Sequence, residues 1–340
     1  MSKSDVKAPR PHKSGGLFIS WVAHHGRSAE LADGLGFDAV FISESDSRGG
    51  LLGRYVRQFM VTRRVIVERQ PAVVAVMLPP MPVLLAVLSA RIKPTHIIAD
   101  LHTGFFYDPK WSWATRLELR LLRRALVIVT NAELATICEQ GNNRCAVLHD
   151  VLEAPEHARQ VPAARVPTPT VLCPLSYAND EPVEQLMEAA RLTPNIDYVL
   201  TGAPPAKVAE VAPNNVRFTG YLDHDSYWQA VQASWGVVAL TTRDHTMQRA
   251  GYEALICGQG VLTSNFSVLS DFFEDAAVYT EPDAESIANG VRELVDRRVE
   301  LGEAARVVLS RRRLEQSEAI SLLRNHVSSL LGRSAPAFTR

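Results

Sequence analysis

The chain has 340 residues, 46% of them hydrophobic, with 36 Lys+Arg against 37 Asp+Glu and a formal net charge of −1. At about 150 residues per domain, this length suggests two domains. The apolar fraction excludes a disordered chain, and the balanced charge argues against a generic nucleic-acid binder.

The balance hides an asymmetry. Residues 1–150 carry 19 basic and 13 acidic residues, a net of +6, and residues 151–340 carry 17 and 24, a net of −7. A basic first half favours an anionic partner such as phosphate or a membrane surface; chance scatter of surface charge explains it equally well. The four cysteines, Cys138, Cys145, Cys173 and Cys257, form no CxxC pair and no metal-ligand spacing, so reduced thiols are expected.

In chain order, residues 1–14 are polar and lack an apolar signal core. A strand is expected over Leu17–Val22, a helix opening at Ser28 as a candidate N-cap, a strand over Asp38–Ile42 and a long helix over Leu51–Arg69. Pro71–Ala90 is uncharged over a length that could span a membrane, but Pro79, Pro80 and Pro82 would break a spanning helix. It parses instead as a buried strand, Ala72–Leu78, a proline turn, and a helix over Val83–Ile92 with Pro82 at its start. Further strands are expected at Thr95–Leu101, Leu126–Thr130 and Cys145–Leu148. The Pro-rich stretch 153–169 reads as a linker. The alternation restarts with strands at Thr170–Cys173, Tyr198–Thr201, Val216–Phe218, Gly236–Leu240, Gly260–Thr263 and Val278–Tyr279. Helices fall at Val183–Arg191, Ser226–Ser234 and Met247–Cys257, and a helical tail runs from Ala284 to Leu331. Apolar strands alternating with helices mean parallel sheets covered on both faces, and ligands in such sheets bind at the strand C-termini. The expected domains are 15–152 and 170–312, with 313–340 as a C-terminal helix that can cross back to the first domain.

The most informative segment is Asn215–Asp283. A strand ends near Leu240, a polar loop follows, and a helix begins near Thr246, a candidate N-cap, and stops at Gly258. A helix N-terminus at a strand's C-terminal edge is a ready phosphate site, to which Arg249 can add charge-assisted hydrogen bonds. Glu253 lies four residues on, on the same face, where its carboxylate can accept from a ribose diol. The competing reading is an ordinary capped helix with an Arg249–Glu253 surface pair. Glu44-Ser-Asp46 and Asp223-His-Asp225 are faint metal-like patterns that suit turns better, so no metal site is assigned.

The order Val216-Arg-Phe-Thr-Gly-Tyr221, a hydrophobic strand, a helix carrying Tyr252-Glu-Ala-Leu255, a glycine, Val261-Leu-Thr-Ser264 and a final Val-Tyr resembles the donor-binding half of GT-B glycosyltransferases. The resemblance is best over residues 195–285, and the two-domain layout extends it over most of the chain. It implies an α/β fold of two Rossmann-like doubly wound parallel-sheet domains facing a cleft. It implies that Glu253 holds the donor ribose, that the Thr246–Arg249 turn, with Met247 and Gln248, faces the diphosphate, and that the backbone around Thr219–Tyr221 borders the base, with His245 and Gly202 also among the donor-binding residues. It also implies a metal-independent reaction with no cofactor beyond a nucleotide-diphosphate sugar. The sequence departs from one pattern: where many retaining members carry a first glutamate, His245 stands here, which favours an inverting reaction. Basic residues are also missing after the first strand of the second domain, Pro174–Asp180.

An inverting transfer needs a base within about 3 Å of the acceptor hydroxyl. The loops after the first and fourth strands offer His24, His25, Asp100 and His102, and the strand-end Asp100-x-His102 resembles a cleft loop of several GT-B transferases. Each of the four can equally be a surface or structural residue. Pro79-Pro80-x-Pro82 followed by Asp100-x-His102 is similar to mannosyltransferases acting on lipid-diphosphate-linked sugars, which points to a lipid-linked saccharide acceptor.

Trp111 and Trp113 precede a segment with Arg116, Arg120, Arg123 and Arg124, whose offsets place all four on one face of an expected helix. That pattern suits an anionic membrane interface, with a solvated helix face as the alternative. The expected setting is cytoplasmic, peripheral on the inner face of the plasma membrane, with no nucleic-acid partner. Two rival readings stay open: a non-catalytic GT-B subunit that binds a partner or glycan, and a sugar-nucleotide epimerase. A dinucleotide oxidoreductase is disfavoured, because no strand is followed by GxGxxG.

Overall fold

A computed structural model describes residues 15–43, 50–90, 96–150, 152–153 and 166–332. The chain divides into two compact units. Unit 1 comprises residues up to His149 together with those from Gln316 onward, and unit 2 spans Asp150–Glu315.

Unit 1 runs β1 (Gly16–Ser20), α1 (Gly26–Leu35), β2 (Asp38–Phe41), α2 (Gly50–Arg69), β3 (Val73–Leu78), α3 (Met81–Ser89) and β4 (His96–Leu101). It continues with the short helices α4 (Thr103–Tyr107) and α5 (Thr115–Leu121), then β5 (Leu126–Val129), α6 (Ala132–Gln140) and β6 (Arg144–Val147). Its six strands are all parallel, in the order β2-β1-β3-β4-β5-β6. The uncharged stretch at Pro71–Ala90 is buried sheet and helix: β3 is buried along its whole length because both faces of the sheet are covered. Ile66, Leu84 and Leu134 pack one face. Leu31 of α1, with Leu323 and Val327 from the end of the chain, packs the other.

Unit 2 runs β7 (Thr170–Cys173), α7 (Val183–Leu192), β8 (Asp197–Thr201), α8 (Ala206–Glu210), β9 (Val216–Gly220), α9 (His224–Ala233), β10 (Gly236–Ala239), α10 (Arg249–Ile256), β11 (Val261–Ser264), α11 (Ser267–Phe273), β12 (Ala277–Thr280), α12 (Ala284–Asp296) and α13 (Arg298–Leu330). Its strands are also parallel, in the order β12-β11-β10-β7-β8-β9. Leu255, Leu269 and Leu309 cover one face, and Leu186, Ile287 and Leu294 cover the other. The residues of α13 divide between the units at Glu315/Gln316.

Several local expectations are corrected. The N-cap of α1 is His25, whose Nδ1 accepts from the Ser28 amide at 3.3 Å, so Ser28 lies inside the helix. The helix stops at Gly36, where φ is +68° and a side chain would be strained. Pro82 is the second residue of α3, which starts at Met81. The helix expected to carry four arginines ends at Leu121, so Arg123 and Arg124 lie in the following turn and do not share its face. The helical tail is two helices, interrupted at Arg297. Asp223 caps α9 by accepting from the Ser226 amide at 2.9 Å. Glu44 and Asp46 lie outside the described residues, as do residues 154–165 of the expected linker. Within unit 2 the Val166 carbonyl accepts from the Trp235 indole at 2.9 Å.

Each sheet reverses its strand order once. In unit 1 the reversal lies between β1 and β3, and in unit 2 between β7 and β10. Ligands of doubly wound sheets occupy the crevice at the strand C-termini where this reversal occurs, so each unit has one topologically defined place for a ligand.

Candidate functional site

In unit 1, the C-terminal ends of β1, β4 and β6 are drawn together by one buried ion pair. Asp100, the fifth residue of β4, is fully buried. Arg27, in the first turn of α1, places Nη2 2.8 Å from its Oδ1 and Nε 3.2 Å from both carboxylate oxygens. Arg27 Nη1 also donates to the Leu148 and His149 carbonyls, each at 2.7 Å. Burial opposes ionisation of Asp100, but Arg27 and His102 outweigh it and hold the carboxyl well below the usual range.

An ionised Asp100 can only accept hydrogen bonds. Its Oδ2 lies 3.1 Å from His102 Nε2, so Nε2 carries the proton of that bond, and in the neutral ring Nδ1 is the acceptor nitrogen. His102 is the N-cap residue of α4 but makes no side-chain cap bond, and its ring is a quarter exposed. The structure thus joins two of the four candidate bases, with Asp100 orienting His102. His25 stands edge-on to His102, ring centroids 5.0 Å apart, but its Nδ1 is committed to capping α1. His24 lies against Phe41 instead. Arg27, which the sequence gives no reason to single out, is the residue that keeps Asp100 charged.

In unit 2, α10 begins at Arg249. Its N-cap is Gln248, whose side chain donates to the Leu240 carbonyl at 2.7 Å and makes no cap bond. Thr246 is therefore not the N-cap; Thr246, Met247 and Gln248 form the loop that delivers the helix. His245, with φ +58°, turns that loop, and its amide donates to Asp244 Oδ1 at 2.7 Å. Glu253 is buried. One oxygen accepts from Arg249 Nε at 2.9 Å, so the Arg–Glu pair offered as the plain reading does form. The other oxygen accepts from the Tyr227 hydroxyl. Burial and the Glu253 charge push the Tyr227 phenol up, so it remains a donor.

The base-side residues form a second group. Gly202 follows β8 and pairs with Gly220, its amide donating to the Gly220 carbonyl at 3.0 Å. Thr219 Oγ1 donates to the same carbonyl at 3.0 Å, and Tyr221 is exposed.

The loops after β7 and β10, which flank the reversal, are laced by Asp180: its carbonyl accepts from the Thr242 amide at 2.7 Å and its Oδ2 from Thr241 Oγ1 at 2.9 Å. The base-free loop after β7 is folded around Glu181, which accepts from the Ser176 amide and hydroxyl and the Ala178 amide. An acidic side chain thus organises the turn where basic residues were expected. Exposed cations are left to Arg249, Arg243 and Lys207.

The glycosyl transferase-like family matches residues 181–319, which take in α10, Tyr227 and the Gly202–Tyr221 group but not Ser176, Ala178 or Asp180 after β7. Sucrose-phosphate synthase from Thermosynechococcus elongatus superposes with a TM-score of 0.73 at 16% identity, covering 93% of this chain and 99% of that one. HepE from Anabaena, in complex with UDP and glucose, gives 0.67 at 14%, covering 94% and 99%. MnaA from S. aureus, in a co-structure with UDP, gives 0.63 at 13%, covering 95% and 100%. Residues 181–319 are thus similar to the glycosyl transferase-like family, and the chain shares the fold of these solved structures. A search of curated proteins finds no match.

Both Rossmann-like units are six-stranded and wholly parallel, as the sequence suggested. Among the described residues, no helix is long and apolar enough to cross a membrane.

Proposed function

We propose that unit 2 binds a UDP-sugar and that unit 1 presents the acceptor hydroxyl to His102. The observation that carries this reading is the buried Glu253, one turn into α10, inside the family match and held by Tyr227 and Arg249. Its carboxylate is fixed to accept from the ribose diol. The α10 N-terminus and Arg249 receive the diphosphate. Gly202, Thr219 and Tyr221 border the uracil. Solved neighbours of the same fold hold UDP, which supports uridine over other bases.

The transfer is inverting: His102 Nδ1 removes the acceptor proton as the hydroxyl attacks the anomeric carbon, and the nucleoside diphosphate leaves. His245, standing where a retaining pattern has glutamate, supports this stereochemistry. The acceptor is a lipid-linked saccharide met at the inner face of the plasma membrane. Exposed Trp113, Leu117 and Leu121 beside Arg116, Arg120, Arg123 and Arg124 support peripheral docking.

A thermal-shift panel of UDP, GDP, dTDP, ADP and CMP tests the donor. UDP at about 100 times its Kd should stabilise the fold by ~2.7 kcal/mol, and Glu253→Ala should abolish that shift. A shift for another nucleotide alone, or an unaltered UDP shift in the variant, overturns the assignment. Product analysis with UDP-sugar and no acceptor separates transfer from epimerisation, which needs no acceptor.

A further inference from the structure

Unit 1 contains a cavity of about 290 Å³ at its own strand-order reversal. Trp21 enters it from the end of β1, and Pro79 and Pro80 from the end of β3. Tyr55 and Gln58 come from α2, and Trp111 from the turn after α4. The topology therefore puts this cavity where a doubly wound sheet takes its ligand.

Three aromatic rings build its walls. Trp21 stacks on Tyr55, with centroids 6.1 Å apart and planes 25° apart. Trp111 stands edge-on to Tyr55 at 5.9 Å. The Trp21 indole N–H donates to Thr62 Oγ1 at 2.8 Å, which fixes the ring and spends its polar end inside the unit. Aromatic rings offer flat apolar faces, and such faces suit the C–H face of a pyranose.

Two polar features specify the rest of the ligand. Gln58 is 3% exposed and donates Nε2 to the Ile42 carbonyl at 2.8 Å, while its buried Oε1 has no hydrogen-bond partner. A buried acceptor of this kind calls for a donor, which a sugar hydroxyl supplies. The Arg54 guanidinium lies 5.4 Å from the Tyr55 centroid. Lys110 Nζ lies 5.0 Å from the Trp111 centroid and donates to Tyr55 Oη at 3.1 Å. Among the described residues, neither cation has a carboxylate within ion-pair distance. Two unneutralised cations beside an aromatic-walled cavity call for an anion. The volume lies near the lower end of ligand sites, roughly 300–1,000 Å³, which suits one monosaccharide and is small for a nucleoside diphosphate.

We infer that the Trp21–Tyr55–Trp111 cavity is a subsite for an acidic monosaccharide unit, one bearing a carboxylate or a phosphate. Gln58 accepts from a ring hydroxyl, and Arg54 and Lys110 pair with the anionic group. Its role as an acceptor subsite rests on the transferase reading; the binding itself does not.

The test titrates the full-length protein, without donor, with methyl glucuronide, glucose 6-phosphate and methyl glucoside, followed by tryptophan fluorescence and saturation-transfer NMR. An acidic sugar should bind at least tenfold more tightly than the neutral glucoside. The acidic sugar that wins shows whether carboxylate or phosphate is the group recognised. The Arg54→Gln/Lys110→Gln double variant, whose changes leave the core intact, should reduce the acidic sugars to the neutral level, and Trp111→Ala should weaken all three. Equal binding of acidic and neutral sugars, or a preference that survives the double variant, overturns the inference. UDP titrated into the same proteins reports on the donor reading separately. Loss of UDP binding with sugar selectivity intact removes the donor assignment alone, and a UDP affinity that falls in the double variant shows the cavity taking nucleotide and overturns the inference.

Discussion

At the scale of single residues, unit 1 depends on two buried carboxylates in opposite conditions. Asp100 is ionised and paired with Arg27, which also holds the carbonyls after β6. Removing one partner of a buried pair strands the other, at a cost of about 3–5 kcal/mol. Arg27→Met should therefore lower stability by that amount in urea unfolding. Asp100→Asn should also remove the charge that fixes the His102 tautomer, so transfer should fall with UDP binding unchanged. Retained turnover would remove the Asp100–His102 pair from the chemistry. Glu118 of α5 is the contrasting case: it is buried, its two oxygens have no partner, and burial pushes it up to about 7. Its folded-state value is raised above the unfolded one, so between about pH 4.5 and about pH 7 the folded chain holds a proton that the unfolded chain has lost. Stability from this group is full below that window, falls as pH rises through it, and is flat above. Glu118→Gln should remove the decline: relative to wild type, the variant should gain about 2–3 kcal/mol between pH 5 and pH 8. A wild-type–variant difference that does not change over this range would refute the assignment.

At the scale of elements, the loops after the strands of unit 2 are those proposed to hold the donor, and Gly202 shows how tightly they are built. Its φ is +81°, and a Cβ there would lie 2.2 Å from the Leu175 carbonyl oxygen, a backbone atom that cannot turn away. Gly202→Ala should cost about 1–3 kcal/mol and weaken UDP binding by displacing the loop after β7; a stable variant with normal UDP affinity would separate Gly202 from the base site. The same elements show what the sequence made legible. All twelve strands were readable as short apolar runs, clearest where both faces are buried, as in β3, β7 and β10, and weakest at the partly buried edge strands β2, β6 and β9. Helix starts were less so. His25 caps α1 through an imidazole, a side chain that local capping rules rank low. Gln248 precedes α10 with its amide committed to Leu240. Short helices such as α4 and α11 fell below the length at which a 3.6-residue period is visible. Asp100 and His102 were legible together because they lie two apart at the C-terminal end of one strand, Asp100 within β4 and His102 just past it. Arg27 was not, since 73 residues separate it from Asp100 and only the β1–β3–β4 order brings them together. The aromatic cavity was hidden for the same reason: Trp111 drew notice as a membrane anchor, while Trp21 and Tyr55 lie in other segments.

At the scale of the whole molecule, the charge asymmetry sharpens once the structural units replace the sequence halves. Unit 1 holds 22 basic and 13 acidic residues, a net of +9, and unit 2 holds 14 and 24, a net of −10. A division this uneven gives the two units opposite fields, which suits one unit to an anionic surface and repels the other from it. Unit 1 also exposes the apolar groups such a surface requires: Trp113 is 71% exposed, and Leu52, Val56 and Met60 form a stripe at four-residue spacing along α2. Because Arg123 and Arg124 lie beyond the end of α5, they act as a basic cluster at a turn and not as one helical face. Point charges near an anionic bilayer contribute about 1 kcal/mol each, so the effect should survive this change of geometry. The protein should co-sediment with vesicles containing phosphatidylglycerol and stay in solution with pure phosphatidylcholine. Replacing Arg116, Arg120, Arg123 and Arg124 with glutamine should weaken the first interaction roughly 100-fold or more. Salt at 0.5 M should have a similar effect, since the screening length then falls below about 8 Å. UDP-induced stabilisation should be the same in the variant as in wild type, because the residues proposed for the donor all belong to unit 2. Equal partitioning onto neutral and anionic vesicles would remove the electrostatic contact, and a loss of UDP stabilisation in the variant would show that the arginines serve the donor site.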